Sequence, residues 1–293
     1  MRVTNRSIFE SIKYNLGTIS DELNKANEVA STGKRINKLS DDPVGLTQSL
    51  SIQSSLANIE QMQRNIDYGQ SWLNSSESAL TSVSNILSDT KALCVQMASG
   101  TVGADQRAAA AENVQNNLDE IVSLANTNVN GSYIFAGSKT DTVPFDQDET
   151  GNVTYEGDNT AFSIKISNNA SIEIGSDGQA VFGTLFTTLS DLKTALQNND
   201  VTGIQDAMGK LDDSMNDISA KISDIGSKTD RMDIKKNIFQ DLNLTNTTRL
   251  STIEDADMAQ AIMDVSAAQL TYQAALASSS KVMSLSLVDY LTT

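Results

Sequence analysis

Apolar residues near the start of the chain recur at alternating intervals of four and three positions. The series consists of Ile12, Leu16, Ile19, Leu23, Ala26 and Ala30. This spacing puts the side chains on one stripe of an α-helix and is typical of the a and d positions of a coiled-coil seam. Gly33, followed by Lys34 and Arg35, predicts the end of this helix, because glycine ends helices and cations are favoured at the carboxyl end of the helix dipole.

A second, much longer helix is predicted to begin at Pro43, because Asp42 is a good N-cap and proline suits the first helical position. Apolar residues then recur every seven positions, at Ile52, Ile59, Ile66, Leu73, Leu80, Leu87 and Cys94. The companion stripe is interrupted by Gly69, Ser76 and Thr90, which predicts a weak edge. Because Cys94 falls within the apolar series, we expect it to be buried rather than reactive.

The middle of the chain changes from a helical to a strand pattern. Gly100 and Gly103 predict a turn, and a third helix is predicted to end near Asn130 and Gly131. Residues 132–183 combine short runs of β-branched and aromatic residues with glycine-marked turns. That combination predicts a small β insert.

The helical period returns near Leu185 and continues to the end of the chain. Its most regular run is Ile204, Met208, Leu211, Met215, Ile218, Ile222 and Ile225. Ser251 and Glu254 fit a capping box, which predicts that the last helix begins there. The apolar positions of that helix are Met258, Ile262, Val265, Tyr272, Leu276, Met283 and Tyr290.

The order of these elements predicts a mainly α protein. We expect a long helical coiled-coil bundle formed by the N- and C-terminal halves, with a small β insert domain, because each half has an amphipathic stripe that needs a partner. The predicted division is a terminal coiled-coil domain, a helical bundle domain and the insert, covering residues 1–45 with 251–293, 46–131 with 184–250, and 132–183.

Charge limits the partners that the chain can bind. Its net charge is −16, whereas nucleic acids and anionic membranes attract basic surfaces, so neither is an expected partner. Residues 1–40 carry seven basic and four acidic residues, and residues 254–293 carry one basic and five acidic residues, which favours association of the two ends. Residues 1–17 lack the apolar core of a signal peptide, so we expect a cytoplasmic protein or one exported without cleavage.

Composition also argues against catalysis. The chain has no histidine and one cysteine, which removes the common triads and thiolate or imidazole metal sites. Asp146, Asp148, Gly151 and Glu156 approach the spacing of a calcium loop, but the glutamate stands at the eleventh position instead of the twelfth. A hairpin turn is therefore expected at residues 149–152, and no enzyme activity, cofactor or metal is expected.

Three segments resemble one known family. Residues 32–37 read TGKRIN and residues 41–45 read DDPVG, residues 130–137 read NGSYIFAG, and residues 251–259 read STIEDADMA. In this order they resemble the flagellin superfamily: its N-terminal signature, the entry into its outer domain and the opening of its C-terminal helix. The residues that carry the resemblance are Gly33, Arg35, Asn37, Asp41, Asp42, Pro43, Asn130, Gly131 and Asp257.

The two ends of the chain resemble one branch of that family. Residues 1–4 and 280–291 are similar to members that lie between hook and filament, and they lack the ending usual in filament subunits. The resemblance implies a structural adaptor in the bacterial flagellum that contacts copies of itself, the first hook-associated protein and flagellin. It also implies export without a cleaved signal peptide. A short flagellin is the alternative within the family.

The resemblance further implies which residues meet other chains. The terminal helices of the family form a coiled-coil inner layer, which implies subunit-interface roles for Ile12, Leu16, Ile19, Leu23, Met258, Ile262, Val265, Tyr272, Leu276 and Met283. A family export chaperone binds the C-terminal region, which implies a helix-in-groove contact with Met258, Ile262, Val265, Leu276 and Met283. From the pattern alone, a free-standing helical bundle that recognises a partner through its β insert is an alternative.

Overall fold

Six α-helices dominate the computed structural model, which describes residues 2–148, 151–167 and 169–291. The helices are α1 (Arg2–Thr32), α2 (Pro43–Met97), α3 (Ala104–Ala125), α4 (Gly178–Gln197), α5 (Val201–Glu254) and α6 (Met258–Leu291). The predicted mainly α fold with a small β insert is confirmed. No helix within the described ranges is both long and apolar enough to cross a membrane.

Three antiparallel strand pairs form the β insert between α3 and α4. They are β1 (Asn128–Val129) with β2 (Ser132–Tyr133), β3 (Phe145–Gln147) with β4 (Val153–Tyr155), and β5 (Ser163–Ser167) with β6 (Ala170–Glu173). Such short hairpins are not stable alone in water, so they depend on the helices against which they pack.

The chain divides into two compact units. One unit comprises Met1–Ile59 with Asp241–Thr293, and the other comprises Glu60–Gln240. In the first unit α1 packs along α6. In the second unit the hairpins share one apolar core with α3, α4 and the enclosed parts of α2 and α5.

The seven-residue stripe of α2 lies in the core of the second unit, as its spacing predicts. Ile66, Leu73, Leu80, Leu87 and Cys94 are all buried. Burial raises the pKa of the Cys94 thiol to about 11, which keeps it protonated and unreactive.

The predicted weak edge of α2 is wrong. Gly69, Ser76 and Thr90 are all buried. Thr90 Oγ1 donates to the Ile86 carbonyl at 2.7 Å, so its hydroxyl is satisfied within the helix. Gly69 leaves room for side chains from other elements, since a Cβ there would stand 2.3 Å from Ile164 Cδ1 of β5 and 2.9 Å from Met232 Cε of α5. These small residues let neighbouring elements approach closely.

Aromatic contacts fix the insert to the helices. The ring of Phe162 meets Trp72 of α2 edge to face, with centroids 4.9 Å apart. Phe135 meets Phe182 of α4 in the same geometry at 4.9 Å. Edge-to-face pairs of this kind add to the free energy of burial, so they stabilise the packing of the insert on its helical base.

Two predicted helix boundaries need correction. Helix α3 ends at Ala125 rather than near Asn130, and residues 130–131 form the turn of the β1–β2 hairpin. Ser251 and Glu254 are not the capping box of the last helix, because both lie in the final turn of α5. The N-cap of α6 is Asp257, whose Oδ1 accepts the Ala259 N–H at 2.9 Å.

Candidate functional site

The signature segment after α1 is a loop that folds against the end of α5. Gly33 ends α1 with φ +69°, a left-handed conformation that favours glycine. Its carbonyl accepts the Ala256 N–H at 2.9 Å, and Lys34 pairs with Asp255 in an isolated β-bridge. The backbone thus ties the exit of α1 to the entry of α6.

Arg35 completes the carboxyl end of α5. Its backbone N–H donates to the Glu254 carbonyl at 2.6 Å, and its Nη2 donates to the Ile253 carbonyl at 2.9 Å. Carbonyls at the end of a helix have no partner within the helix, so a guanidinium there is favourable. Arg35 therefore acts as a cap supplied by the loop.

Glu254 is the centre of this cluster and is only 4% exposed. Its carboxylate accepts hydrogen bonds from Lys34 Nζ at 2.8 Å, from Gln53 Nε2 at 2.7 Å and from the Ser49 hydroxyl. Burial raises the pKa of this carboxyl, but the hydrogen bonds and the Lys34 charge outweigh burial and hold the pKa below its ordinary value. Glu254 is therefore a charged group that joins α5, α2 and the loop.

Two signature aspartates close the loop and start α2. Asp41 Oδ2 accepts the backbone N–H groups of Asn37 at 3.2 Å and Lys38 at 3.0 Å. The hydrogen bond from Lys25, together with these backbone donors, lowers the pKa of Asp41 to about 2. Asp42 Oδ1 accepts the Gly45 N–H at 2.8 Å, which lowers the pKa of Asp42. The predicted N-cap role of Asp42 is confirmed.

Acid is expected to weaken this cluster. The folded-state pKa values of Asp41, Asp42 and Glu254 lie below their ordinary values of 3.8, 3.8 and 4.5. The stabilisation from these carboxylates is therefore complete above those ordinary values and is lost as the pH falls through the lowered ones.

The structure brings most of the signature residues together but separates two of them. Gly33, Arg35, Asn37, Asp41, Asp42, Pro43 and Asp257 lie in the same unit as Glu254, at the helix ends and in the loop between α1 and α2, and Asn37 Nδ2 donates to the Lys34 carbonyl at 2.8 Å. Asn130 and Gly131 belong to the other unit, where their φ values of +53° and +88° form the β1–β2 turn. The signature therefore marks a helix junction and, separately, a hairpin.

The predicted seam of α1 lies against α6. Ile12, Leu16, Ile19 and Leu23 are all half-buried, and α1 and α6 are packed along each other. The residues of α6 that are similarly shielded are Ala261, Val265, Ala268, Tyr272, Ala275 and Ser279. Their spacing of four and three repeats the coiled-coil pattern. Apart from Val265 and Tyr272 these are small residues, so apolar periodicity alone missed them.

A second apolar face of α6 is uncovered. The exposed fractions of Met258, Ile262, Leu276 and Met283 are 42, 59, 43 and 44%. Met263 and Leu270 border them and are also exposed. We call Ile262, Met263, Leu270, Leu276 and Met283 the outer face of α6. Met258 lies seven and fourteen residues before Val265 and Tyr272, on the stripe that faces α1, and its sulfur lies near Gly33. The predicted interface residues of this helix therefore divide between the half-buried Val265 and Tyr272 and a set that is exposed in the described part of the chain.

The candidate metal sequence forms a hairpin loop. Gly151 N–H donates to the Asp148 carbonyl at 3.0 Å, and Asn152 N–H donates to Asp148 Oδ1 at 2.8 Å. Of the predicted turn at residues 149–152, positions 149 and 150 lie outside the described residues. Within the described ranges no three acidic or cysteine side chains are grouped to hold a metal ion.

Gly33→Ala is expected to destabilise the protein by about 1–2 kcal/mol, because the left-handed backbone disfavours a Cβ. The space itself is open, since the nearest atom to such a Cβ is Met258 Sδ at 3.9 Å. Gly17→Ala is the matched control within α1, where a Cβ would meet nothing within 4 Å and is expected to stabilise the helix. Urea unfolding followed by circular dichroism measures the free energy of unfolding of both variants. Equal changes in that free energy would contradict the strain expected at the left-handed backbone of Gly33.

Comparison with known families covers most of the chain. The model of the bacterial flagellin N-terminal helical region matches residues 5–140, and that of the bacterial flagellin C-terminal helical region matches residues 208–291. The cluster around Glu254 draws on segments from both matched regions.

Individual relatives agree with these matches. Flagellar hook-associated protein 3 of Salmonella typhimurium is 25% identical over 305 residues, covering 93% of this chain and 95% of that protein. The crystal structure of Bacillus cereus FlgL is 27% identical, with a TM-score of 0.61, and the match covers 69% of this chain and 99% of that one. The flagellar junction protein FlgL from Legionella pneumophila shares the fold at 16% identity, with a TM-score of 0.60 and coverage of 70% and 100%.

Proposed function

We propose that this chain, which belongs to the bacterial flagellin family, joins the flagellar hook to the filament through its paired terminal helices. It is a structural component of the flagellum, of the hook-associated junction type. The observation that carries the proposed mechanism is the pair of apolar sides on α6. One side packs with α1, and the outer face is exposed among the residues that the structure describes.

An exposed apolar face on a helix favours contact with another helix. Contiguous exposed apolar side chains on a water-soluble protein usually mark an interaction surface. Along the outer face, Ile262 and Leu276 are separated by fourteen residues, and Leu276 and Met283 by seven. Such spacing suits packing of a further helix alongside α6.

We infer that the covering helices belong to neighbouring axial proteins. The proposed neighbours are copies of this chain, the first hook-associated protein on one side and flagellin on the other. In this arrangement Ile12, Leu16, Ile19 and Leu23 hold α6 in place, while the outer face of α6 makes the contacts between subunits. The loop around Glu254 supports this role because it fixes the ends of both helices to one point.

Before assembly, an export chaperone is the proposed partner of the same helix. Met258, Ile262, Leu276 and Met283 are exposed and suit a helix-in-groove contact. Val265 is half-buried in the unit that pairs α1 with α6, so a chaperone reaches it fully only when α6 separates from α1. We further propose export without cleavage of a signal peptide and a purely structural, non-enzymatic role.

Deletion of the gene, followed by electron microscopy and assay of flagellin in the medium, tests the proposal. Bare hooks with shed flagellin are the expected result, because filament subunits are still exported but have no junction on which to assemble. Bare hooks without shed flagellin would make this chain the filament subunit itself. Normal filaments would overturn both assignments.

A further inference from the structure

The tip of the β1–β2 hairpin is an asparagine followed by a glycine. Asn130 and Gly131 have φ values of +53° and +88°, as the two-residue turns that join antiparallel strands require. Asn130 is the only asparagine of this sequence that precedes a glycine. Both residues are exposed, and a Cβ on Gly131 would meet nothing within 4 Å among the described residues. The peptide bond that joins them is therefore open to solvent.

We propose that Asn130 is a site of spontaneous deamidation and that the side chain of Asn128 restrains this reaction. The Gly131 backbone nitrogen attacks Cγ of the Asn130 side chain and a C–N bond forms. The bond from Cγ to the side-chain nitrogen breaks, and ammonia leaves with the proton of the Gly131 N–H. Water then opens the resulting succinimide ring at one of its two carbonyl carbons. The product is aspartate or isoaspartate, and no oxidant or reductant takes part.

The residue after an asparagine governs how easily the ring closes. A side chain on that residue crowds the attacking nitrogen and limits the rotation of its backbone. Glycine has no Cβ and rotates more freely, so its nitrogen approaches the preceding side chain more easily. Asparagine is among the thermolabile residues. The sequence and the open hairpin tip therefore favour reaction at Asn130 over the other asparagines.

The hairpin itself holds the attacking nitrogen. Gly131 N–H donates to Asn128 Oδ1 at 2.8 Å, which is a short-range hydrogen bond of good length. Ring closure requires this nitrogen to give up its proton and to turn toward Asn130 Cγ, so the hydrogen bond must break first. Asn128 is therefore a positioning residue that keeps Asn130 in its unmodified form.

Isoaspartate has a direct consequence for the hairpin. Its main chain contains one more carbon atom than that of asparagine, whereas the pairing of Val129 with Ser132 spans two residues of ordinary length. The chain after the turn leads directly to Ile134 and Phe135, which are fully buried. Deamidation therefore weakens the β1–β2 pairing where the chain enters the β insert. The proposed function plays no part in this chemistry.

Incubation of the purified full-length protein at mildly alkaline pH, followed by peptide mass mapping, tests the proposal. Asn128→Leu removes the acceptor at nearly constant side-chain size. We expect Asn130 to deamidate about five- to tenfold faster in this variant, which is the rate equivalent of one hydrogen bond. Asn128→Asp keeps an acceptor oxygen and is the matched control, so it is expected to deamidate at the rate of the unaltered protein.

Protein unfolded in guanidinium chloride supplies the upper limit, because no hairpin holds Gly131 there. Circular dichroism identifies the variants that are folded, and Asn128 is exposed, so both substitutions are expected to leave the fold intact. Equal rates in the folded unaltered protein and in Asn128→Leu would overturn the role of Asn128. Equal acceleration in Asn128→Leu and Asn128→Asp would overturn it as well, since any change at this position would then loosen the turn. Faster deamidation of another asparagine in the folded protein would overturn the assignment of the site.

Discussion

Glu254→Ala is expected to cost about 2–3 kcal/mol and to release the loop that joins α1 to α2. The buried carboxylate accepts from Lys34, Ser49 and Gln53, so its removal leaves several donors without their partner. Breaking a fully buried ion pair costs about 3–5 kcal/mol, and the lower value applies here because the Lys34 side chain is 45% exposed.

Amide hydrogen exchange locates this effect. The Arg35 N–H donates to the Glu254 carbonyl, and the Ala256 N–H donates to the Gly33 carbonyl. We expect both amides to exchange roughly 30- to 150-fold faster in the variant, which is the rate equivalent of that loss of free energy. Glu60→Ala is the control, because this exposed side chain contacts Arg64 only at 4.0 Å and contributes less than about 0.5 kcal/mol. Unchanged exchange in Glu254→Ala would show that the cluster does not hold the loop.

The sequence predicted the helices and several caps because those signals are local. The spacing of Ile12 to Ala30 and of Ile52 to Cys94 depends only on helix geometry, and Asp42 with Pro43 is a cap at any solvent-exposed helix start. The prediction of a capping box at Ser251 and Glu254 was wrong because it also relied on a local signal. A capping box is a sequence motif of four residues, and here these four residues are the last of the 54-residue helix α5 instead of the first of a new helix.

Packing over long sequence distances could not be predicted from these patterns. Glu254 contacts residues about 200 positions earlier in the chain. The residues next to it in the sequence therefore give no sign that its carboxylate is buried. Gly69 interrupts an apolar stripe, yet it leaves room for the side chains of Ile164 and Met232, which are distant in sequence. On α6 most of the large apolar residues are exposed, whereas alanines make up much of the side that is shielded next to α1. The hydrophobic pattern alone therefore could not distinguish the side of α6 that packs on α1 from the side that is exposed.

The double substitution Ile262→Asp with Leu276→Asp is expected to abolish hook binding while leaving the chain folded. Both side chains belong to the outer face of α6, with exposed fractions of 59% and 43%. In the free chain their carboxylates remain in water, and the half-buried Val265 and Tyr272 are unchanged. In a complex each carboxylate would be buried against an apolar partner, so we expect binding to fall by at least about a hundredfold.

Purified protein and isolated bare hooks suit this measurement, because the proposed export route and export chaperone then play no part. The matched control is Thr271→Asp with Ser278→Asp, which adds the same charge at exposed positions on the opposite side of α6. The control is expected to sediment with hooks like the unaltered protein, and both variants are expected to keep their helical circular dichroism. If the two double variants lose binding equally, added charge rather than the outer face explains the loss. If neither loses binding, the contact with the hook lies elsewhere on the chain.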